Sequence, residues 1–254
     1  MSVVQTLVSL GSYGAASARR VGQAELARIA AAAGADGVEY RGELQRGGHA
    51  EVQEQAAVAR ESGLDVVWSS PEGLWAEDGL LDEAALERAF ATAGELGAAR
   101  VKMSLGAYSP TSAVEYLHPW LRRDGIELLV ENDQTTSAGT VPQLRDFFHR
   151  LAMLDARVPM TFDMGNWCWT GEDPLAAARV LGAQVGYIHC KGVQRLPGQW
   201  VAVPLMESSA PWRSVLRQLP GDVPRAIEFP LQGEDLVQIT RDHLAVLRSV
   251  EVWA

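Results

Sequence analysis

The sequence predicts an α/β fold, a single (β/α)₈ TIM barrel in which residues 1–254 form one domain. Short β-rich runs alternate with Ala-, Leu- and Glu-rich helical stretches along the chain, and its length of 254 residues is close to the ~250 residues typical of this barrel. A doubly wound open sheet is the alternative for such an alternation, but it favours a glycine-rich phosphate turn after the first strand. The first predicted turn, GSYG at residues 11–14, does not have the GxGxxG spacing, so the closed barrel is preferred.

Each predicted strand is a run of β-branched, aliphatic or aromatic residues that is bounded by turn-forming residues. In chain order these runs are Val3–Leu10, Gly37–Glu43, Leu64–Ser70, Arg100–Leu105, Ile126–Asp133, Val158–Asp163, Val185–Lys191 and Val223–Phe229. The helical stretches that follow them are Gln23–Ala33, Ala50–Glu61, Asp82–Leu96, Ser112–Arg123, Pro142–Asp155, Asp173–Leu181, Trp212–Leu219 and Asp235–Val250. Their ends carry the usual signals, with Asp82 and Asp173 as N-caps and Gly34, Gly63 and Gly97 as stops.

Composition and charge exclude several classes of protein. Hydrophobic residues make up 47% of the chain and charged residues 21%, which is typical of a globular protein. The formal net charge of −10 does not suit binding to nucleic acid or to an anionic membrane. We expect a cytoplasmic protein for three reasons. The sequence has only two cysteines, it begins without a basic and apolar signal segment, and it contains no long apolar run.

Four predicted strands end in a residue that can bind a metal: Glu131 in VEND, Asp163 in FDMGN, His189 in IHCKG and Glu228 in IEFP. Successive ligands are one strand–helix unit apart, and in a (β/α)₈ barrel the carboxyl ends of the strands meet at one mouth. Each residue alone could instead pair with a nearby Arg or Lys, but the common register of all four favours convergence on one site. The other histidines, His49, His118, His149 and His243, fall in or beside helices, where we expect them to be solvated.

Four unpaired ionisable groups in an apolar barrel mouth would be destabilising. One divalent cation bound between them would offset this effect by pairing with all four. Three carboxylates and one imidazole form a mainly oxygen site. We expect Mn²⁺, with Co²⁺, Mg²⁺ or Zn²⁺ as alternatives.

At these motifs the chain resembles the xylose isomerase-like TIM-barrel family of sugar isomerases and epimerases, inosose dehydratases and apurinic-site endonucleases. The ketose 3-epimerase pattern is the most similar, since its metal quartet falls on Glu131, Asp163, His189 and Glu228 and its arginine on Arg195. The resemblance implies that Glu131 and Glu228 are both metal ligands and proton-transfer groups. One position departs from the pattern, because Asn166 stands where these epimerases have a substrate-contacting histidine. The endonucleases need further histidines that this chain lacks at the corresponding positions, so a role in DNA repair is not expected.

The predicted chemistry is proton removal beside a carbonyl, through an enediolate that the metal stabilises. Return of the proton to the opposite face gives an epimer, transfer to the neighbouring carbon gives an isomer, and loss of a β-hydroxyl gives a dehydratase. A carbohydrate-binding barrel without catalysis is the remaining alternative. The sequence leaves these outcomes, the sugar and the assembly state open, with a homodimer as one option.

Further polar residues share the strand-end register and are candidates for contact with a small-molecule carbohydrate substrate. They are Glu39, Arg41, Lys102, Lys191, Arg195 and Asn166, together with Trp167, whose ring could cover a sugar face. Arg41 and Lys102 are equally well explained by internal pairing with Glu39. If the cations face the substrate, they favour a sugar acid or an oxidised sugar. Cys190 is one residue out of register with His189, so we expect it to point towards the helices.

Overall fold

The computed structural model describes residues 4–249 and contains a closed barrel of eight parallel strands surrounded by helices. The barrel strands are β1 (Thr6–Ser9), β2 (Gly37–Arg41), β3 (Asp65–Trp75), β4 (Arg100–Gly106), β6 (Ile126–Glu131), β7 (Met160–Asp163), β8 (Val185–Cys190) and β11 (Arg225–Ile227). They follow one another around the barrel in chain order, with β4 paired to β6 and β11 paired back to β1. The predicted fold is confirmed.

Three short strands lie outside the barrel. The strand β5 (Arg122–Arg123) pairs antiparallel with β6, and β9 (Gly192–Leu196) forms a two-stranded hairpin with β10 (Gln199–Val203). This hairpin follows β8 directly, so it rises from the end of the barrel where the predicted ligands lie. This hairpin was not predicted from the sequence.

Helices cover the outside of the barrel. Their bounds are α1 (Ala15–Val21), α2 (Gln23–Ala32), α3 (His49–Glu61), α4 (Glu83–Leu96), α5 (Val141–Met153), α6 (Trp167–Thr170), α7 (Pro174–Leu181), α8 (Trp212–Leu216) and α9 (Leu236–Ser249). Asp82 and Asp173 cap α4 and α7 as predicted, since their side chains accept hydrogen bonds from the backbone N–H groups of Ala85 and Leu175. None of the helices between residues 4 and 249 is long and apolar enough to cross a membrane.

The predicted helix over residues 112–123 is wrong. The chain there forms a 3-10 run, Val114–Trp120, and then enters β5. Pro119 lies inside this run, and a proline lacks the N–H that an α-helix needs at that point. Two helices that the sequence analysis did not separate, α1 and α6, are short and follow the first and the sixth barrel strand.

The barrel interior contains an apolar layer below a polar one. Leu7, Val67, Leu129, Tyr187 and Ala226 are fully buried and pack together at the centre. Because side chains alternate along a strand, the residues two positions further on point to the same interior, nearer the carboxyl ends. Those positions hold Ser9, Ser69, Glu131, His189 and Glu228. The apolar layer therefore forms the floor of a polar site.

A seam between β1 and β11 joins the beginning and the end of the described chain. Thr6 to Val8 pair with Arg225 to Ile227, and the Ser12 hydroxyl donates to the Ile227 carbonyl at 3.1 Å. The Asp36 carboxylate accepts hydrogen bonds from the Thr6 N–H and, at 3.0 Å, from Arg248 in α9. Contacts between residues that are more than 200 positions apart in the sequence thus hold this side of the barrel together.

Candidate metal centre

The structure brings together the four side chains that the sequence predicts as ligands. One ligand atom each from Glu131, Asp163, His189 and Glu228 lies within 4.8 Å of the other three. Glu131 ends β6, Asp163 ends β7, His189 is the penultimate residue of β8, and Glu228 follows β11 directly. Asp163 and His189 are paired across β7 and β8, so strand register itself sets their separation.

His189 is oriented so that its Nδ1 atom faces the carboxylates. Its Nε2 atom lies 2.7 Å from Glu39 Oε2, whereas Nδ1 lies 2.8 Å from Glu131 Oε1, 2.9 Å from Glu228 Oε2 and 3.8 Å from Asp163 Oδ2. Nδ1 and Glu228 Oε2 are both buried, but neither takes part in an aligned hydrogen bond. Unpartnered buried donors and acceptors are destabilising unless a further group completes them.

This donor set fits a divalent cation. Three carboxylates and one imidazole nitrogen converge on one point, and the nitrogen that faces them is the one left free by Glu39. A ligating histidine commonly donates its other ring N–H to a carboxylate, which fixes the tautomer and the direction of the ring. Glu39 is fully buried and takes this supporting position. Glu39 was predicted as a substrate contact, and in this structure its carboxylate contacts His189, Lys102 and Arg41.

Asp163 is held by the loop that follows its strand. Its Oδ1 atom accepts hydrogen bonds from the backbone N–H groups of Gly165 and Asn166 at 2.8 and 2.9 Å. The Asn132 side chain donates to the Asp163 carbonyl at 3.0 Å and accepts from its N–H at 2.8 Å. These contacts leave Oδ2 facing the site, where it accepts a hydrogen bond from Lys191 Nζ at 2.6 Å. Asn132 was missed in the sequence analysis, although it is a polar residue next to a predicted ligand in VEND.

Asn166 supports the site through a second set of hydrogen bonds. Its Oδ1 atom accepts from Lys191 Nζ and from Gln134 Nε2, both at 3.0 Å, and its Nδ2 atom donates to the Asn132 carbonyl at 2.9 Å. Asn166 is buried, and its carbonyl and amide are both used within the protein. It positions Lys191 and the loop after β7.

Three cations surround the ligands and balance much of their charge. Lys102 Nζ lies 2.7 Å from Glu131 and 3.0 Å from Glu39. Lys191 Nζ lies 2.6 Å from Asp163 and 2.9 Å from Glu228. Arg41 Nη1 lies 2.6 Å from Glu228 and 3.1 Å from Glu39. The internal pairing of Arg41 and Lys102 with Glu39, which the sequence left as one of two options, is present.

Lys191 fits this position because residue 165 is a glycine. A Cβ atom on Gly165 would lie 2.8 Å from Lys191 Cγ, from Lys191 Cδ and from Val193 Cγ1. The absence of a side chain therefore lets the aliphatic stem of Lys191 pass over the backbone of the FDMGN loop.

The electrostatic environment keeps the glutamates ionised. Burial raises the pKa of Glu228, but the charges of His189, Lys191 and Arg41 hold it well below its usual value. Burial likewise raises the pKa of Glu131, which Lys102 and His189 bring below the usual value. Burial lowers the pKa of His189, and the carboxylates of Glu228, Glu39 and Glu131 raise it well above the usual value.

The negative and positive charges of this polar layer nearly balance. Glu39, Glu131, Asp163 and Glu228 carry four negative charges, against three positive charges on Arg41, Lys102 and Lys191. With a neutral imidazole the layer has one uncompensated negative charge, and a bound divalent cation would leave one positive charge. Glu43, at the exposed rim, makes an additional ion pair with Arg41 at 2.9 Å.

Two residues predicted to contact substrate lie elsewhere. Trp167 is fully buried and packs against Phe162 with ring centroids 5.3 Å apart, in the core between the barrel and the helices. Its predicted role as a sugar platform is wrong, because the segment after FDMGN folds into α6 and turns the ring inwards. Arg195 is exposed on β9, where its guanidinium lies 5.1 Å from the Trp200 ring centroid and lines a cavity with Cys168 and Glu172.

Cys190 agrees with its prediction. It is buried in the core between barrel and helices, and burial raises the pKa of its thiol to about 12. His243, in contrast, was expected to be solvated but packs edge-on against Phe229, with ring centroids 5.0 Å apart.

Solved structures with similar folds include enzymes of different kinds. One is a xylose isomerase-like TIM barrel/4-hydroxyphenylpyruvate dioxygenase fusion protein, with 16% identity, a TM-score of 0.71 and coverage of 99% of this chain but only 43% of the fusion protein. The probable 3-DHS dehydratase AsbF of Bacillus anthracis has 15% identity and a TM-score of 0.67, over 96% of this chain and 98% of its own. D-psicose 3-epimerase of Clostridium cellulolyticum H10, solved with D-tagatose, has 15% identity and a TM-score of 0.66, over 97% and 99%.

At these identities the similarity establishes the fold and not the reaction. No curated protein matches the sequence. The family model described as "xylose isomerase-like TIM barrel" matches residues 27–250, and the chain therefore belongs to the xylose isomerase-like TIM-barrel family.

Proposed function

We propose that the protein is a divalent-metal-dependent sugar epimerase or isomerase that acts on a keto-sugar or sugar acid, with Glu131 and Glu228 as the proton-transfer groups. The observation that carries this proposal is the position of the two glutamates. Both lie within 2.9 Å of His189 Nδ1, yet they come from β6 and from the end of β11. They can therefore approach a substrate from two directions.

The ligands Glu131, Asp163, His189 and Glu228 would hold the cation, and Glu39 would keep the His189 ring in place. When bound, the cation supplies Lewis-acid stabilisation of the negative charge that develops as a proton leaves carbon next to a carbonyl. Glu131 or Glu228 accepts that proton, and the other glutamate can return it. Lys191 and Arg41 lie beside Glu228 and keep the glutamate ionised, which is the form that a general base needs.

The charge of the polar layer supports an anionic substrate. The buried part of the metal-loaded site, counted without Glu43 at the rim, has one surplus positive charge, which favours a ligand with one negative charge, such as a sugar acid, over a neutral hexose. The cavity in front of Glu228 has a volume of about 570 Å³, which is enough for a six- or seven-carbon substrate with water.

A lyase that removes water is the second candidate, and Lys191 favours it. Its ammonium lies 2.9 Å from Glu228, so an acid and a base are adjacent, as elimination of a β-hydroxyl requires. Asn166 also stands where the ketose 3-epimerase pattern has a titratable histidine. The structurally similar AsbF carries the name of a probable dehydratase, although at 15% identity this is similarity of fold alone.

Deuterium exchange tests the proposal. The Mn²⁺-loaded protein is incubated in D₂O with a panel of ketoses, 3-keto sugars and sugar acids, and the products are analysed by NMR and mass spectrometry. We expect deuterium at the carbon beside the carbonyl and no exchange after EDTA treatment. A product whose mass differs from that of the substrate only by the incorporated deuterium indicates an epimerase or isomerase, and loss of water indicates the lyase. Metal-independent exchange, or none with any substrate class, would contradict the proposal.

The substitution Glu228→Gln tests the role of the base. The amide oxygen can still coordinate a cation but cannot accept a proton, so we expect turnover to fall by at least about 100-fold while metal remains bound. The control is the metal content of the variant, measured on the same preparation. Turnover within a few-fold of the wild type would show that Glu228 is only a ligand.

A further inference from the structure

The cavity in front of Glu228 extends to helix α1. It covers the carboxyl ends of four neighbouring strands, β2, β1, β11 and β8, and Glu228, Arg41 and Lys191 line it on the side of the ligands. Arg19 of α1 lines the same cavity, together with Gly11, Gly14 and Ala15. These three small residues leave space for a ligand on the α1 side.

Arg19 differs from the other cations that line this cavity. Arg41 and Lys191 each make ion pairs with at least two carboxylates, so their charges are already balanced. Arg19 is exposed, and among residues 4–249 its side chain has no hydrogen-bond or ion-pair partner. An unpaired guanidinium on the wall of a site offers a planar fork of donors that matches a carboxylate.

We propose that Arg19 is a specificity-determining residue that binds the carboxylate of the substrate while the carbonyl end of the substrate faces Glu228. This inference rests on the proposed function, because that function supplies the reacting end of the substrate. It names the substrate class as a keto-sugar acid. Arg19 adds to the surplus positive charge of the metal-loaded polar layer, since no residue of the described chain neutralises it.

The neighbouring Arg20 provides a matched control. Both arginines are exposed and lie in the last turn of α1, where a cation interacts favourably with the helix dipole. Arg20 does not line the cavity. Both arginines can therefore stabilise the end of α1, whereas only Arg19 lies where it can contact a substrate.

The test is a binding comparison between D-fructuronate and D-fructose, which share the carbonyl end and differ in the carboxylate at C6. Dissociation constants are measured by calorimetry for the Mn²⁺-loaded wild type, Arg19→Ala, Arg19→Lys and Arg20→Ala. We expect the wild type to prefer the acid by about tenfold, as for a charged hydrogen bond at a partly solvated site. The preference should disappear in Arg19→Ala, be partly restored in Arg19→Lys and persist in Arg20→Ala.

An unchanged preference for the acid in Arg19→Ala, or an equal loss in both alanine variants, would overturn the inference. So would the absence of binding of either sugar to the wild type. Repeating the wild-type titrations in EDTA tests the proposed function separately. Binding of both sugars without metal would contradict that function, while the ratio of the two dissociation constants would still decide the role of Arg19.

Discussion

At the scale of single residues, Glu39 has the largest influence on the site without being a ligand. It is fully buried and contacts His189, Lys102 and Arg41. Burial raises the pKa of Glu39, but His189 and Lys102 hold it far below the usual value, so it remains a carboxylate. The negative charge stabilises the N–H on His189 Nε2, so Nδ1 is the nitrogen that faces the other three ligands and would bind a cation.

The substitution Glu39→Gln should therefore weaken metal binding without removing a ligand. The amide keeps the size of the side chain but loses the charge that fixes the imidazole, and such outer partners contribute about 10- to 100-fold to metal affinity. Competition with a chromogenic chelator measures the change. Glu43→Gln, which also removes an ion pair with Arg41 but does not touch His189, should leave the affinity within about threefold of the wild type. Equal losses in both variants would contradict the role assigned to Glu39.

At the scale of elements, helix α9 is packed against the end of β11 through an ionisable side chain. His243 of α9 lies against the Phe229 ring, one residue after Glu228. Burial lowers the pKa of His243, while the nearby charges of Asp242 and Glu207 act in the opposite direction. The contact is best made by a neutral imidazole.

This shift makes the packing of α9 sensitive to pH. The folded pKa lies below the unfolded value of about 6.5, so the unfolded chain binds more protons as the pH falls through this range. The stabilisation is complete above the unfolded pKa and is lost as the pH falls towards and through the folded pKa. We expect His243→Gln to reduce the slope of the free energy of unfolding between about pH 5 and pH 7, measured by urea titration. His149→Gln, which removes an exposed histidine of α5, is the control. An equal change of slope in both variants would show that the pH dependence does not come from the contact between His243 and Phe229.

At the scale of the whole molecule, the four ligands come from four strands, so a bound cation links β6, β7, β8 and the end of β11. A ligand that binds only the folded state stabilises it by about 2.7 kcal/mol at a hundred times its Kd. For a chain of this size 1 kcal/mol corresponds to about 2–4 °C in Tm, so we expect Mn²⁺ at that concentration to raise Tm by roughly 5–10 °C relative to EDTA. Scanning calorimetry measures the shift. The increase in Tm should be much smaller in Asp163→Asn. An increase of the same size in that variant would show that the cation binds elsewhere.

The sequence is sufficient to predict the barrel and the convergence of the ligands, for a simple physical reason. Side chains alternate along strands, and parallel strands end at one mouth, so position in sequence translates directly into position in space. Glu131, Asp163, His189 and Glu228 are all located by this rule.

The remaining parts of the site depend on contacts that the rule does not contain. Glu39 has three partners within reach, and only the three-dimensional arrangement decides how they share its two oxygens. Trp167 follows a strand end as a ligand would, but α6 turns it into the core. Arg195 was located by the resemblance to the ketose 3-epimerase pattern, whereas the β9–β10 hairpin places its guanidinium against the Trp200 ring. In irregular segments, the spacing of residues in the sequence does not determine where their side chains lie in the fold.

The seam between β1 and β11 has a consequence for the order of folding. Pairing of neighbouring strands along the chain closes short loops, but joining Thr6 to Arg225 closes nearly the whole chain and is entropically the most demanding contact. A chain that has formed its middle strands already holds Glu131, Asp163 and His189, whereas Glu228 arrives with β11 and Glu39 with β2. The four ligands lie on strands that are neighbours in the barrel, and β11 pairs with β8, so the coordination sphere can be complete before β1 joins β11. Appearance of tight Mn²⁺ binding during refolding would mark the arrival of β11 beside β8, separately from the earlier gain of helix.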